Sequence, residues 1–549
     1  MADKKQIADL FLGLAEGLEG GSFAGRFPVG LTIPGSEHGE AELVYAAELA
    51  AKRNPDLDVI LIGGPEAKGL KHFPAATLED AHKEMERLFK EGTIKACVTM
   101  HYNFPLGVST VGKVVTPGKG REMILATTTG TTDANRYKAM LLNAIGGIAV
   151  AKASGIAEPT VGLLNIDGIA VIEKALNKMK EKGYKVNYTE SNRADGGVRM
   201  RGNDLLQGTP DVMVCDTLTG NLLIKLFSSF VTGGSYEGSG FGYGPCIGSG
   251  YDDVVGIISR ASGAPAIANA LKFVADCAKN NVHGIYAEEL KAAKKAGLDE
   301  LLEDMPGAKP VAAAAAEEVK APPKKTVDAG IPGIDVIEKA LNKMKEKGYK
   351  VNYTESNRAD GGVRMRGNDL LQGTPDVMVC DTLTGNLLIK LFSSFVTGGS
   401  YEGSGFGYGP CIGSGYDDVV GIISRASGAP AIANALKFVA DCAKNNVHGI
   451  YAEELKAAKK AGLDELLEDM PGAKPVAAAA VEEVKAPPKK TVDAGIPGID
   501  VIEIEDACKA LWKEGIYAET GMGCTGPVIM VSEEDLAKAR DVLHKADYI

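Results

Sequence analysis

The stretch "AETGMGCTGPVIMV", residues 518–531, sets one cysteine, Cys524, among Gly521, Gly523 and Gly526. Glycines permit positive φ, let another molecule approach the main chain closely, and leave the sulfur uncovered. A thiol so placed is a candidate nucleophile for covalent acyl transfer, with the amides of Gly523 and Thr525 as candidate donors to a tetrahedral oxyanion. The plainer reading is a tight turn carrying an incidental cysteine, because free cysteine usually behaves as a small core hydrophobe. No Lys, Arg or His stands beside Cys524, so whatever lowers its pKa must come from the fold or a partner.

A second group suits an anion. In "DVMVCDTLTGNLLIKLF", 211–227, a buried-looking strand ends at Asp216, a turn carries Thr217, Thr219, Gly220 and Asn221, and a helix containing Lys225 follows. Amides and hydroxyls at a strand-to-helix turn can hold phosphate; an ordinary capped turn is the alternative. Just upstream, "RGNDLLQGTP" adds Arg201, Asn203 and Asp204. "ATTTGTTDANR", 126–136, offers a similar strand end with Thr131, Thr132, Asp133 and Arg136, or simply a Thr-rich turn with a helix cap. The glycine-rich 232–253 stretch fits a loop over a ligand or a mobile loop, and matches neither a Walker A nor a dinucleotide fingerprint.

The elements that must position these residues read as α/β. Apolar runs at 28–34, 58–64, 94–100, 122–128, 160–165 and 210–216 alternate with amphipathic helical segments, which predicts a parallel sheet covered on both faces. One feature dominates the organisation. Residues 171–335 recur as 336–500, with Ala316 against Val481 the single difference, so the anion turn returns at Asp381 and Asn386. Removing one 165-residue copy from 549 leaves a functional unit of 384. The expected layout is an N-terminal α/β part at 1–170, copy 1 at 171–305, an Ala/Pro/Lys/Glu tether at 306–335, copy 2 at 336–470, a second tether at 471–500, and a small tail at 501–549 carrying Cys524. Only one copy can complete the body that 1–170 begins, and loop closure favours the nearer one. In the tail, Ile504, Ala507, Cys508 and Leu511 mark one face of a helix, and a last helix is predicted from Ser532.

Composition bounds the function. With 45% hydrophobic and 24% charged residues the chain is globular, and a net charge of −12 argues against nucleic acid or anionic membrane as partner. No apolar run reaches the ~18 residues of a membrane span. The first residues read as an amphipathic helix without a signal-peptide pattern, and nine cysteines without a CxxC pair indicate neither zinc nor disulfides, so a reducing cytoplasm is expected.

"GNDLLQGTPDVMVCDTLTGNLLIK" resembles the phosphate acyltransferases of bacterial phospholipid synthesis, which convert an acyl thioester and phosphate into an acyl phosphate on a fold like phosphotransacetylase and isocitrate dehydrogenase. Over the whole collapsed chain, "FPVGLTIPGSEHGEAEL", "KACVTMHYNFPLGVSTVGKV", "TTTGTTDANR" and "ETGMGCTGP" are similar to the alpha subunits of component C of glycine/sarcosine/betaine reductase. That resemblance implies an anaerobic amino-acid fermentation chemistry. The selenoprotein component A carries a carboxymethyl group on selenocysteine; component C resolves it into an acetyl group, leaves component A oxidised, and releases acetyl phosphate. Carried over by motif, Cys524 of "GMGCTGP" is the acetyl-thioester cysteine, and Cys97 of "KACVTM" is the family's other notable cysteine. The resemblance further implies no bound cofactor or metal, phosphate as substrate, and a hetero-oligomer with a condensing-enzyme-like beta subunit and component A, with component B acting indirectly. A stand-alone phosphate acyltransferase and a noncatalytic assembly subunit are the competing readings; a nicotinamide-dependent oxidation has no cofactor site to support it.

Overall fold

The computed structural model describes residues 25–192, 196–235, 237–306, 334–357, 361–397, 402–468, 486–497, 499, 504–523, 526–546 and 548. The expected N-terminal helix, most of both tethers, Cys524 and Thr525 therefore lie outside the described residues.

Two sheets form the body. The first is wholly parallel and uses β1 (Phe27–Thr32), β2 (Leu57–Ile62), β3 (Lys71–Phe73) and β4 (Ala96–Met100). The second contains β5 (Val108–Val115), β6 (Glu122–Thr131), β7 (Thr160–Leu164), β8 (Asn187–Tyr188), β9 (Arg199–Met200), β10 (Val212–Val214) and β11 (Cys246–Gly248); β12 (Val255–Ile258) then returns to the first sheet beside β4. Strand order is β12-β4-β1-β2-β3 in one and β11-β5-β6-β10-β7-β8 in the other, with β9 also on β7. The α/β class expected from the sequence is what the chain adopts, but the second sheet is mixed. β5 and β6 are joined by only a short turn, so they must pair antiparallel, from Val108 opposite Thr131 to Val115 opposite Glu122. A parallel pair would need a crossover helix.

Copy 1 completes this body. Its β10 slots between β6 and β7, with Met213 opposite both Leu125 and Gly162, and its β11 and β12 extend the two sheets. Each of those places can be filled once. Copy 2 keeps the helices Ile334–Glu346, Gly367–Gln372, Thr382–Thr397, Ala429–Lys444 and Val447–Lys460, yet none of its described residues forms a named strand. Side chains that copy 1 buries are consequently open in copy 2. Val212 is 0% exposed and Val377 is 77%; Leu271 is 0% and Leu436 is 69%; Phe227 is 2% and Phe392 is 36%. Each such side chain forgoes about 1.5–3 kcal/mol of burial, which is why near-identical sequences do not reach the same structure here.

The last segment packs around its own core. β13 (Ala494–Pro497), β14 (Ala518–Gly523) and β15 (Gly526–Val531) form an antiparallel sheet in the order β13-β15-β14. Helices Ile504–Lys513 and Leu536–Lys545 cover it, burying Ala507, Cys508, Leu511, Ala539 and Leu543 against Ile496, Ile529 and Val531. The sheet reaches back to 494, into the stretch that reads as tether. "AETGMG" is itself a strand and not a loop, with Gly523 opposite Gly526.

Candidate functional site

β6, β7 and β10 run parallel, so their carboxyl ends open on one edge, the usual position for a ligand in an α/β sheet. At that edge Asp216 caps the helix Thr217–Thr232. One carboxylate oxygen accepts from the amides of Leu218 and Thr219, at 3.0 and 3.1 Å, and the other accepts from the Thr219 hydroxyl at 2.7 Å. Asn135 caps the neighbouring helix Arg136–Ala153 in the same way through the amides of Tyr137 and Lys138. Two positive helix ends therefore converge on one edge.

Arg136 ties the edge together. Its Nη1 donates to Asp167 at 2.9 Å and its Nη2 to Asp216 at 3.4 Å, while its Nε is buried without a partner among the described residues. The guanidinium thus bridges the segments that follow β7 and β10, and keeps one donor in reserve. An unpaired buried donor is costly unless something accepts from it, and a phosphate oxygen is a suitable acceptor. Asn221 is half-buried one turn along the Asp216-capped helix, with its side-chain amide unengaged among the described residues.

Gly220 explains how closely the turn approaches. A Cβ on it would lie 1.8 Å from the Thr127 carbonyl oxygen and 3.4 Å from the Thr128 Cα, so the helix rests directly on the backbone of β6. The threonines beneath the turn are accordingly Thr127 and Thr128. Thr131 is exposed further along β6, and the Thr132 hydroxyl is engaged by Ser109 at 2.7 Å and by Asn143 at 2.5 Å. Asn143 leaves its Nδ2 buried and unpartnered among the described residues.

Asn203 and Lys225 lie elsewhere, where the two copies meet. Lys225 is buried, and its Nζ donates at 3.0 Å to Asn368, the copy-2 counterpart of Asn203. Asp381 repeats the cap, accepting from the Thr384 amide at 2.9 Å, but it is exposed and no arginine pairs with it among the described residues. Copy 2 therefore presents Asp381 and Asn386 as half of a site whose other wall, from residues 1–170, is already used.

Cys97 sits inside β4, wholly buried among Ile60, Ile62, Met85, Leu88 and Ile94. Burial pushes its thiol well up, so the thiolate is disfavoured there. Cys246 and Cys277 are likewise buried, each pushed up to about 12. The side-chain surroundings of Cys524, Gly523 and Thr525 lie outside the description; β14 and β15 bring the flanking Gly523 and Gly526 into register.

Sequence reasoning missed Asp167 and Glu237. Glu237 is buried in the glycine-rich loop, accepting from the Tyr243 hydroxyl at 2.5 Å and from Ser262 at 3.3 Å, and desolvation raises its pKa although Lys225 opposes the shift. Glu402 repeats the network with Tyr408 and Ser427 in copy 2, away from any completed edge, so its function is to organise the loop. A lone acid among glycines was the available signal.

A sequence model of the family described as "Fatty acid synthesis protein" matches residues 27–359 and again 347–530. The chain is 54% identical over 339 residues to the "Glycine/sarcosine/betaine reductase complex component C subunit alpha" of Peptoclostridium acidaminophilum, covering 62% of this chain and 88% of that protein. It is 24% identical over 230 residues to the "Phosphate acyltransferase" of Brevibacillus brevis, covering 35% of this chain and 67% of that protein.

Proposed function

This chain belongs to the fatty acid synthesis protein family, alongside the component C alpha subunit, and on that footing we propose that it is the acetyl-transferring subunit of a glycine, sarcosine or betaine reductase. The observation that carries the reading is 54% identity across 88% of such a subunit. The carbon–selenium bond of the carboxymethyl group on component A breaks as a thiol of component A bonds to the selenium, leaving a selenium–sulfur bond, and the freed carbon takes up a proton to become a methyl. The carboxylate gives up one oxygen as hydroxide as the Cys524 thiol bonds to its carbon, and the acetyl group is held as a thioester. A phosphate oxygen then attacks the thioester carbonyl, the Cys524 thiolate leaves, and acetyl phosphate is released.

The body supplies the second half. Arg136, Asn221 and the capped turn at Asp216 offer positive charge and donors at the carboxyl edge of the β6–β10–β7 strands, where phosphate would be oriented. Cys97 supports this from within the core, and the beta subunit and component A complete the assembly as partners.

Labelled phosphate exchange into acetyl phosphate tests the reading. Cys524→Ser abolishes exchange. Asn221→Ala slows exchange more than it slows acetylation of the enzyme by an acetyl donor. Equal loss of both steps on Asn221→Ala would make the turn a folding element only.

A further inference from the structure

Seven buried polar atoms have no partner among the described residues. Four of them form two pairs of counterparts repeated in the copies, Tyr188 with Tyr353 and His283 with His448, and Ser394 belongs to the uncompleted copy. The remaining two are Arg136 Nε and Asn143 Nδ2, and both sit on helix Arg136–Ala153. Seven residues apart, they share one face of that helix, with about 10 Å of rise between them. These two donors belong to the completed body and not to the repeated segment.

Asn143 is out of character with its helix. Every other buried residue there is apolar or glycine, and Asn143 is only 2% exposed. A buried carboxamide is costly unless its polar atoms are answered. Half of it is answered: Oδ1 accepts from the Ser109 and Thr132 hydroxyls, at 3.3 and 2.5 Å. Those bonds hold the carboxamide in place and leave Nδ2 as a fixed donor with nothing to meet. Thr132 follows directly on β6 and is half-buried, and antiparallel pairing sets Ser109 of β5 opposite Gly130. The cluster therefore lies at the same carboxyl edge as the Asp216 turn.

We propose that Asn143 binds the carbonyl oxygen of the acyl group while Arg136 holds the phosphate, so that one helix face recognises both ends of a small acyl phosphate. The assignment takes its ligand from the acetyl-transfer reading and rests on it. As a phosphate oxygen bonds to the thioester carbon, the carbonyl electron pair moves onto oxygen. The Asn143 N–H donates to that oxygen until the pair returns and the Cys524 thiolate leaves. A donor already fixed needs no reorganisation when the charge forms.

Two phosphonates of equal length test this on the full chain through their shifts of its thermal midpoint. Acetonylphosphonate has the carbonyl but cannot transfer acetyl; propylphosphonate lacks the carbonyl. The wild-type chain should bind acetonylphosphonate about two- to tenfold more tightly, the worth of one hydrogen bond. Asn143→Leu should erase that preference, leave propylphosphonate binding unchanged, and lower kcat of phosphate exchange without raising KM for phosphate. Asn143→Asp, which keeps an acceptor for Ser109 and Thr132, is the second variant and should erase the preference too. Equal binding of the two phosphonates by the wild-type chain, or a preference that survives both substitutions, would overturn the proposal. A wild-type chain that shows the preference but exchanges no phosphate would sink the acetyl-transfer reading and leave the Asn143 assignment standing.

Discussion

Gly220 and Gly385 are the same residue of the same sequence in two environments, and alanine at each separates the roles of the copies. At Gly220 the new Cβ falls 1.8 Å from a backbone oxygen of β6. That is roughly 1.5 Å short of ordinary contact in a close-packed interior, and neither the helix nor the strand is a flexible side chain that can give way. Overpacking of this kind costs about 1–3 kcal/mol or more, against a gain of about 1 kcal/mol from helix propensity. At Gly385 the nearest atom is the Cys380 sulfur at 3.5 Å, so only the propensity gain remains. Urea denaturation should show Gly220→Ala lowering the stability of the body by about 2 kcal/mol net at the upper end of that range, and Gly385→Ala leaving the body transition unchanged. Phosphate exchange should follow, because lifting the helix removes Asn221 and the Asp216 turn from the sheet edge. If the two substitutions act alike, or Gly385→Ala is the damaging one, copy 1 is not the segment that completes the body.

Arg136→Gln removes both charge-assisted bonds and should lower phosphate exchange at least about tenfold, since such bonds are each worth about 1.5–3 kcal/mol; Arg136→Lys should rescue it only partly, because a point charge cannot bridge Asp167 and Asp216. The pKa of Glu237 is raised, so its burial favours the protonated form: the stability this residue contributes is fully present below the ordinary glutamate value of 4.5 and is lost as pH rises through the raised one. Glu237→Gln should flatten that fall, measured by denaturant midpoints from acid to neutral pH. Alkylation of the native chain should modify Cys380, Cys411 and Cys442, which are partly exposed, and spare the buried Cys215, Cys246 and Cys277. The two copies yield identical cysteine peptides, so mass spectrometry should find each about half labelled; full labelling or full protection would contradict the arrangement.

The parts of the fold that rest on periodicity were legible: β4, β7 and β10 fall within apolar runs visible in the sequence, and β1, β2 and β6 overlap such runs, with β6 continuing three residues past its run to Thr131. β5, "VSTVGKVV", was not, because its small and polar residues are buried by antiparallel pairing and not by an apolar pattern. β14 was hidden for a related reason. Its glycines read as turn, and only pairing with β15 makes "AETGMG" a strand. At the site, Asp216 and its helix could be found because a cap is local. The Arg136–Asp167–Asp216 bridge joins positions far apart in sequence, which no local spacing encodes. Asn203 and Lys225 share one motif neighbourhood in sequence, yet in the fold Lys225 is answered by the other copy's Asn368.

Passage of an acetyl group through Cys524 on its way to phosphate can be read directly. Incubating the intact chain with isotopically labelled acetyl phosphate runs that step in reverse, and digestion followed by mass spectrometry locates the product. A hydroxylamine-labile acetyl group should appear on the peptide containing Cys524, absent from Cys524→Ser and diminished by Arg136→Gln. Label confined to Cys97 or to any other residue, or no label while phosphate exchange proceeds, would contradict it.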